Sequence, residues 1–367
     1  MLTIIKPEFI VSENIARDNI GRMKRKADKS GVEFRPHFKT HQSAEIGEWF
    51  RNKGIYKITV TSVTMAEYFA GNGWDDILIA FPVNIFEIEK INELAGKIKL
   101  SLLVESIETI NFLSNNLKNI VSVWLKIDSG YGRAGLKSDK ETEIVRIVSE
   151  IQKSDKLKFE GILSHYGNTY QANGNEEIRA VYESATLKMK KVKESTFERT
   201  GFNAKISIGD TPSCSVINSF EGIDEIRPGN LVFYDLMQFN IGSCSENQIA
   251  GFVACPVVSV YRERNQALIY GGAVHFSKEY LVDKNGNKFY GIAAELNDNE
   301  NLLLNSKIKL TSLSQEHGIV SFENGIPEKI FPGNVIYFVP VHSCLAANMF
   351  SSYLTLEGKR ISKMRSI

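Results

Sequence analysis

The alternation of strand-like and helix-like segments along the first two thirds of the chain is the feature that most limits its fold. From about Ser12 to Asp235, runs rich in β-branched and aromatic residues alternate with segments of helical periodicity. The strand-like runs YKITVTS, DDILIAFP and IVSVWLKID, for example, each precede a helix-like segment. Roughly eight such repeats over about 240 residues are the number that closes a (β/α)8 barrel. The sequence therefore predicts an α/β fold built on a TIM-like barrel.

A different pattern begins after Asp235. Runs of β-branched and aromatic residues follow one another there, separated by turn-rich clusters such as NGN and NGIP. This pattern predicts a C-terminal, mostly antiparallel β domain that also takes in the first few residues. We place the boundary near residues 236 to 250. The barrel is then expected over residues 10–240 and the β domain over residues 1–9 and 241–367.

Charge and composition exclude several classes of function. The 367 residues include 44 basic and 43 acidic side chains, so a net charge of +1 provides no global field for nucleic acid or an anionic membrane. The N-terminus has no basic flank followed by an apolar run, and no later stretch reaches about 18 apolar residues. We expect a cytoplasmic protein with a small-molecule site and neither nucleic-acid nor membrane partners. The four cysteines are too few and too scattered for a disulfide framework and are interpreted as thiols or ligands.

The most distinctive local motif is RPHFKTH, which contains Lys39 and His41 at the end of the first predicted barrel strand. Side chains at the carboxyl ends of barrel strands line the active site, which places this lysine where chemistry occurs. Burial and neighbouring cations lower the pKa of a lysine, as a nucleophilic Schiff-base lysine requires. An ordinary exposed loop lysine explains the motif equally well.

A second motif, SIGDTPS, covers Ser207, Gly209, Asp210 and Thr211 after a late barrel strand. Glycine allows close approach of a ligand to the backbone, and hydroxyls with successive N–H groups at a helix start can bind a phosphate. A simple turn is the more common explanation of such a cluster. Asp210 also counts against phosphate binding, because two anions repel each other.

A third motif, HSC, places His342 and Cys344 two residues apart after the run VIYFVPV. In an extended chain these two side chains share one face, so imidazole and thiolate can bind one soft divalent ion, for which zinc is the natural candidate. Two protein ligands leave coordination positions open for water and substrate, as a catalytic metal requires. A buried cysteine beside an unrelated histidine is the more common alternative.

Weaker signals come from residues that are more often structural. In SHYGNTY, His165 is a candidate to lie against a flat cofactor ring and Tyr170 to bond its phosphate. Lys126 and Arg133 can supply positive charge at the barrel mouth, although solvated charges explain them as well.

Taken together, the motifs resemble the D-serine dehydratase and D-threonine aldolase family, whose barrel is similar to that of alanine racemase. The resemblance covers nearly the whole chain, and the motifs occur in the family's order. They are RPHFKTH, KIDSGYGRAGL, GILSHYGNTY, SIGDTPSCS, EIRPGNLVFYDLMQ, SQEHG and PVHSCLAANMF.

The resemblance implies that the enzyme uses pyridoxal 5'-phosphate (PLP) and that Lys39 binds it covalently. His165 is then the histidine near the cofactor ring, and His342 and Cys344 match a metal pair that is a zinc site in the eukaryotic D-serine dehydratases. Members of the aldolase branch more often have aspartate where Cys344 stands. Further residues fall in motifs that surround the cofactor and its phosphate: Tyr170, Ser207, Gly209, Asp210, Thr211 and Tyr234.

Two stretches depart from the family pattern. Asp210 stands where small residues such as Ser or Gly are usual, which leaves the details of phosphate binding open. In GGAVHFSK, the acidic residue that leads the corresponding family stretch is missing and His275 is added. The substrate therefore need not be D-serine.

The resemblance implies a lyase that acts on a β-hydroxy D-amino acid, most simply as a homodimeric dehydratase that releases a keto acid and ammonia. A D-threonine aldolase, in which His41 or a hydroxide on the metal acts as base, would release glycine and an aldehyde. An amino-acid racemase would need a second base, which the sequence does not identify. A non-catalytic PLP-binding protein shares the barrel but usually ends after it.

Overall fold

The computed structural model describes residues 3–297 and 302–364. The chain forms two compact units. The barrel unit comprises Gly21–Lys39 and Gly47–Gly229. The β unit comprises the described residues of Met1–Ile20, Thr40–Ile46 and Asn230–Ile367.

Strands and helices alternate through the barrel unit, and strands predominate in the β unit. The strands in chain order are β1 (Glu8–Val11), β2 (Glu33–Phe34), β3 (Lys57–Val60), β4 (Asp76–Pro82), β5 (Lys99–Val104), β6 (Val121–Asp128), β7 (Leu136–Lys137), β8 (Leu157–Ser164), β9 (Lys205–Ile208), β10 (Glu225–Ile226), β11 (Gly251–Tyr261), β12 (Gln266–Tyr270), β13 (Leu281–Val282), β14 (Lys288–Phe289), β15 (Gly291–Leu296), β16 (Leu302–Leu313), β17 (His317–Phe322), β18 (Val335–Pro340), β19 (Ser352–Thr355) and β20 (Arg360–Ser362). The α-helices are α1 (Glu13–Lys29), α2 (Ala44–Arg51), α3 (Val63–Gly71), α4 (Ile88–Ala95), α5 (Ile107–Asn116), α6 (Glu141–Lys153), α7 (Asn175–Thr200), α8 (Thr211–Val216), α9 (Leu236–Asn240), α10 (Ala273–Phe276) and α11 (Ser343–Asn348).

The barrel unit contains a parallel sheet in the order β2-β10-β9-β8-β6-β5-β4-β3. A parallel bridge between His37 and Thr59 joins the chain that follows β2 to β3 at the opposite edge, which nearly closes the barrel. Strands such as β5 are buried almost along their whole length, as parallel strands covered on both faces are. The predicted (β/α)8 barrel is confirmed.

The interior of the barrel is filled by side chains rather than by a pore. Leu78, Leu103, Trp124 and Leu163 come from the four neighbouring strands β4, β5, β6 and β8 and pack together, with Ala80 against them. Layers of this kind are the core of such barrels. Chemistry is therefore left to the ends of the strands.

The β unit contains the other large sheet, in the order β12-β17-β16-β15-β18-β11-β1-β19-β20. Because β12 also pairs with β11, the first six strands in this order close on themselves. Pairing is antiparallel except between β1 and β19. The predicted C-terminal, mostly antiparallel β structure is confirmed.

No helix among the described residues is long and apolar enough to cross a membrane.

A buried ion-pair network joins three strands of the barrel. Arg35, which follows β2, donates from Nε to Glu225 of β10 and from Nη1 to Asp76 of β4, at 2.7 Å in each case. Arg35 and Glu225 are buried. Burial alone would lower the pKa of Arg35, but the two carboxylates raise it above its usual value.

We expect Arg35→Ala to lower the free energy of unfolding by about 3–5 kcal/mol, because removal of one partner leaves the carboxylate of Glu225 buried beside an empty position. Urea unfolding followed by circular dichroism measures the change. Lys118→Ala is the control: Lys118 pairs with Glu89 at 3.3 Å on the exposed surface, so its loss should cost less than about 1 kcal/mol. Equal effects of the two substitutions would contradict a structural role of the network.

Candidate active site

Lys39 lies two residues after the parallel bridge at His37, in the segment that follows the barrel strand β2. The preceding residue, Phe38, is completely buried, and its ring centroid lies 5.0 Å from those of Phe50, Phe69 and Trp74. This aromatic anchor holds the backbone, while the Lys39 side chain is exposed. The Lys39 N–H donates to Nδ1 of His37 at 3.3 Å. Lys39 is therefore an accessible amine beyond the carboxyl end of a barrel strand, next to a buried aromatic residue.

Two imidazoles of the barrel unit are held in the neutral form. Burial lowers the pKa of His37 well below its usual value, and Lys39 and Arg227 lower it further. Burial likewise lowers the pKa of His165. A hydrogen bond between its Nδ1 and the Gly209 carbonyl raises this pKa and so offsets only part of the effect. The two imidazoles therefore add no positive charge of their own to this part of the barrel unit.

Cations concentrate around these imidazoles. The charges of Lys39 and Arg133 act on both histidines, and that of Lys126 acts on His165. Burial lowers the pKa of Lys126 to about 7, with Arg227 and Arg133 lowering it further. The local field therefore favours an anionic ligand, although the chain as a whole is almost neutral.

The loop from β9 to α8 brings several predicted cofactor residues together. The Thr211 N–H donates to the Tyr170 hydroxyl at 3.1 Å, and the Tyr170 ring lies 6.0 Å from that of His165. A Cβ at Gly209 would lie 2.9 Å from Nη1 of Arg227, so only glycine fits there without displacing the guanidinium. The close approach at Gly209 and the surrounding cations fit a phosphate-bearing cofactor such as PLP.

Asp210 has a local structural task. Its Oδ2 accepts from the Ser213 N–H at 2.8 Å, which caps α8, and from the Thr169 hydroxyl at 3.0 Å. Burial raises its pKa to about 6. Among the described residues, Asp210 Oδ1 and Ser213 Oγ are buried without a hydrogen-bond partner. This pair therefore has bonding capacity left for a ligand or water.

Ser207 is held between two charged side chains. Its hydroxyl donates to Glu225 at 2.6 Å and accepts from Nε of Arg227 at 2.7 Å. Arg227 also donates to the Ser164 carbonyl at 2.9 Å. Our sequence reasoning missed Arg227 as a site residue, although the motif EIRPG at a late strand contained the signal.

His342 and Cys344 flank the start of α11 in the β unit. Cys344 Sγ lies 3.2 Å from the Thr40 hydroxyl and 3.5 Å from Nδ2 of Asn230. Burial alone would lower the pKa of His342, but hydrogen bonding to Cys344, the thiolate charge and Asp235 raise it to about 9. Within the described part of the chain, Nδ1 of His342 is buried and has no hydrogen-bond partner.

The donor set fits an open zinc site. No group of three or more His, Cys, Asp or Glu side chains that could hold a metal occurs among residues 3–297 and 302–364. Imidazole and thiolate are ligands that zinc prefers, and a pair of them leaves positions for water or substrate. The other three cysteines are free and buried, as thiols with raised pKa.

Two more predicted site residues belong to the β unit. His41 is fully buried, and burial lowers its pKa to about 3. Its Nδ1 accepts from the Ser43 N–H at 3.1 Å, and its carbonyl accepts from the Tyr353 hydroxyl at 2.7 Å. Tyr234 is buried with a φ of +51°, and its N–H donates to the Asn230 carbonyl at 2.8 Å. The catalytic role of His41 and the cofactor role of Tyr234 stay predictions.

Comparison with known proteins agrees with this geometry. Residues 11–236 match the family "Alanine racemase, N-terminal domain", and residues 250–356 match "Putative serine dehydratase domain". A D-serine dehydratase from Dictyostelium discoideum is 31% identical over 96% of this chain and 93% of its own.

Two further relatives mark the range of reactions in the family. The D-threo-3-hydroxyaspartate dehydratase from Delftia sp. (strain HT23) is 26% identical over 98% of this chain and 96% of its own. Its solved structure superposes with a TM-score of 0.90 at 25% identity and covers 100% of this chain and 99% of that one. A D-threonine aldolase from Arthrobacter sp. is 25% identical over 46% of this chain and 45% of its own.

The fold and the match to the alanine racemase family model define a class, the PLP-dependent enzymes with an alanine racemase-like barrel. Within this class, the chain belongs to the family of D-serine dehydratase and D-threo-3-hydroxyaspartate dehydratase, PLP-dependent lyases that act on β-hydroxy D-amino acids. The resemblance found in the sequence motifs is confirmed.

The buried amine of Lys126 makes stability depend on pH. Its pKa is about 7 in the folded chain against 10.5 ordinarily, so between these values the unfolded chain binds the extra proton. Stability should then rise with pH by up to about 1.4 kcal/mol per unit from this group. Lys126→Met removes the buried charge, so we expect it to stabilise the fold at pH 7 and to lose this advantage by about pH 10.5. Urea unfolding of both proteins at pH 7, 8.5 and 10 measures this, and a constant difference would contradict it.

Proposed function

We propose that the chain is a zinc-assisted dehydratase of D-serine or a related substrate such as D-threo-3-hydroxyaspartate. The reaction eliminates water from the substrate. Hydrolysis of the resulting enamine then yields a keto acid and ammonia. The pair formed by His342 and Cys344 is the observation that carries the proposal. A thiolate at this position favours the dehydratase branch of the family, since the aldolase branch more often has aspartate.

The proposal assigns cofactor binding to residues that the sequence motifs identify. Lys39 would hold the cofactor, and its amine, once displaced by the substrate amine, would take the Cα proton. PLP when bound supplies an electron sink for the charge that this proton leaves behind. His165 would lie against the ring. Residues expected around the phosphate or its supporting network are Tyr170, Ser207, Gly209, Asp210, Thr211 and Tyr234.

The cation cluster of the barrel unit supports this assignment. Lys126, Arg133 and Arg227 add positive charge where an anionic cofactor would bind, and Arg227 holds Ser207 by a 2.7 Å bond. Electrostatic attraction in a partly buried site is stronger than in water.

His342 and Cys344 would hold zinc in the β unit. Zinc when bound supplies Lewis-acid polarisation of a hydroxyl leaving group. The imidazole of His342 and the partly exposed thiol of Cys344 offer the two donor groups. Burial lowers the pKa of His41 to about 3, and its Nδ1 already accepts from the Ser43 N–H, so His41 would be a weak base for the step that an aldolase needs.

We also infer a homodimer and a cytoplasmic location, which rest on the family resemblance and on the sequence. Both remain predictions.

The substrate and the metal are tested together. The purified protein is assayed with D-serine, D-threonine and D-threo-3-hydroxyaspartate, and with L-serine as control, while keto acid and glycine are followed separately. We expect keto acid from a D-substrate, its loss after chelation and its return with zinc, because zinc would activate the leaving group. Glycine with an aldehyde would instead identify an aldolase, and conversion to the enantiomer a racemase.

Replacement of Lys39 by alanine tests the cofactor assignment. We expect the visible absorbance of bound PLP and all measurable turnover to disappear, because the covalent attachment and the base are lost together. Lys99→Ala is the matched control, since Lys99 is an exposed lysine at the opposite, amino end of the barrel strand β5. Turnover by Lys39→Ala would remove this residue from the mechanism.

A further inference from the structure

Asp235 is a fully buried carboxylate that serves two helices of the β unit. Its Oδ1 accepts from the Gln238 N–H at 2.9 Å and caps α9. Its Oδ2 accepts from the Ser343 N–H at 2.9 Å, from the Ser343 hydroxyl at 3.2 Å and from Asn230 at 2.7 Å. Ser343 is the residue between His342 and Cys344.

The start of α11 needs this outside acceptor. The first N–H groups of a helix lack partners within the helix, and the side chain of the preceding residue usually accepts from them. His342 occupies that position, and its side chain makes no capping bond. Asp235 supplies the acceptor from elsewhere in the chain, so the imidazole of His342 is not consumed by capping.

The same carboxylate reaches the thiol through Asn230. Nδ2 of Asn230 lies 2.7 Å from Asp235 Oδ2, 3.2 Å from the Ser343 hydroxyl and 3.5 Å from Sγ of Cys344. A second tie comes from the chain before His342, where the Val341 carbonyl accepts from the Met237 N–H at 3.1 Å. The backbone on both sides of His342 is thereby fastened to the segment that Asp235 begins.

We propose that Asp235 is a positioning residue that sets the spacing and orientation of His342 and Cys344 as a metal-binding pair, by fixing Ser343 between them and Asn230 against the thiol. The inference rests on the proposed zinc site. It assigns Asp235 no contact with metal or substrate. Groups that orient metal ligands in this way typically change metal affinity 10- to 100-fold when they are removed.

The test is zinc affinity of the PLP-loaded enzyme, measured by competition with a chromophoric chelator. Asp235→Asn keeps the size of the side chain but replaces one carboxylate oxygen by an amide NH2 group. The start of α9 or of α11 then faces a hydrogen-bond donor instead of an acceptor. We expect a zinc affinity roughly 10- to 100-fold weaker, unchanged cofactor absorbance, and turnover that recovers in part with excess zinc. In the cobalt-substituted enzyme, the thiolate charge-transfer band should shift or weaken.

Ser106→Ala is the matched control. Ser106 caps α5 of the barrel unit by accepting from the Thr109 N–H at 3.2 Å, so its loss removes a helix cap far along the chain from the HSC motif. Zinc affinity should not change in this variant. An equal loss in both variants would mean that general destabilisation, rather than positioning, is responsible, and would overturn the inference.

Two reference variants separate this inference from the proposed function. If His342→Ala or Cys344→Ala abolishes zinc binding while Asp235→Asn binds zinc like the wild type, the positioning role is wrong and the zinc site stands. If neither ligand substitution changes zinc binding, the zinc site and the positioning role both fall.

Should Asp235→Asn not fold, Ser343→Ala replaces it: loss of one hydroxyl donor to the carboxylate should weaken zinc binding about threefold. Unchanged affinity in that variant would overturn the positioning role.

Discussion

Glu225 is the buried carboxylate that connects the neighbouring strands β2, β9 and β10 of the barrel unit through hydrogen bonds and ion pairs. Strand β10 is only two residues long, so its ladder hydrogen bonds alone fasten it weakly. Its carboxylate compensates by accepting from Arg35 at 2.7 Å and from Ser207 at 2.6 Å, with Nε of Arg227 at 3.9 Å. Because a buried charge is costly without partners, this arrangement admits little displacement of β2, β9 and β10. The loop that begins at Gly209 starts from this fixed point.

The electrostatics of the candidate cofactor region follow from the same arrangement. Glu225 neutralises part of the positive charge of Arg35 and Arg227. Lys39, Lys126 and Arg133 add further positive charge around His37 and His165. A chain with a net charge of +1 thus concentrates cations in one region of the barrel unit. Burial keeps the imidazoles neutral there, so the positive field comes from amines and guanidinium groups.

The four cysteines show how environment separates inert from reactive thiols. Cys214, Cys244 and Cys255 are buried, and burial raises their pKa values. Cys344 alone among them is partly exposed, beside the Thr40 hydroxyl and the Asn230 amide. Reactivity and metal binding require an accessible thiolate, which distinguishes Cys344 from the other three. The sequence motif HSC identified this cysteine, but its surroundings come from residues more than a hundred positions away.

The sequence by itself determined the fold class and the candidate residues that lie within short motifs. Strand and helix periodicities predicted the (β/α)8 barrel, and local patterns pointed to Lys39, to His165 and to the pair His342 and Cys344. Tertiary structure decided the tasks of residues whose partners are distant in the chain. Periodicity reports only which face of an element is apolar, so it could not reveal that Ser207 lies between Glu225 and Arg227, or that Asp235 accepts from Ser343, 108 residues away. Periodicity also could not show that Asp210 caps a helix. The local sequence is the same whether the carboxylate at a helix start accepts from the backbone or from a ligand.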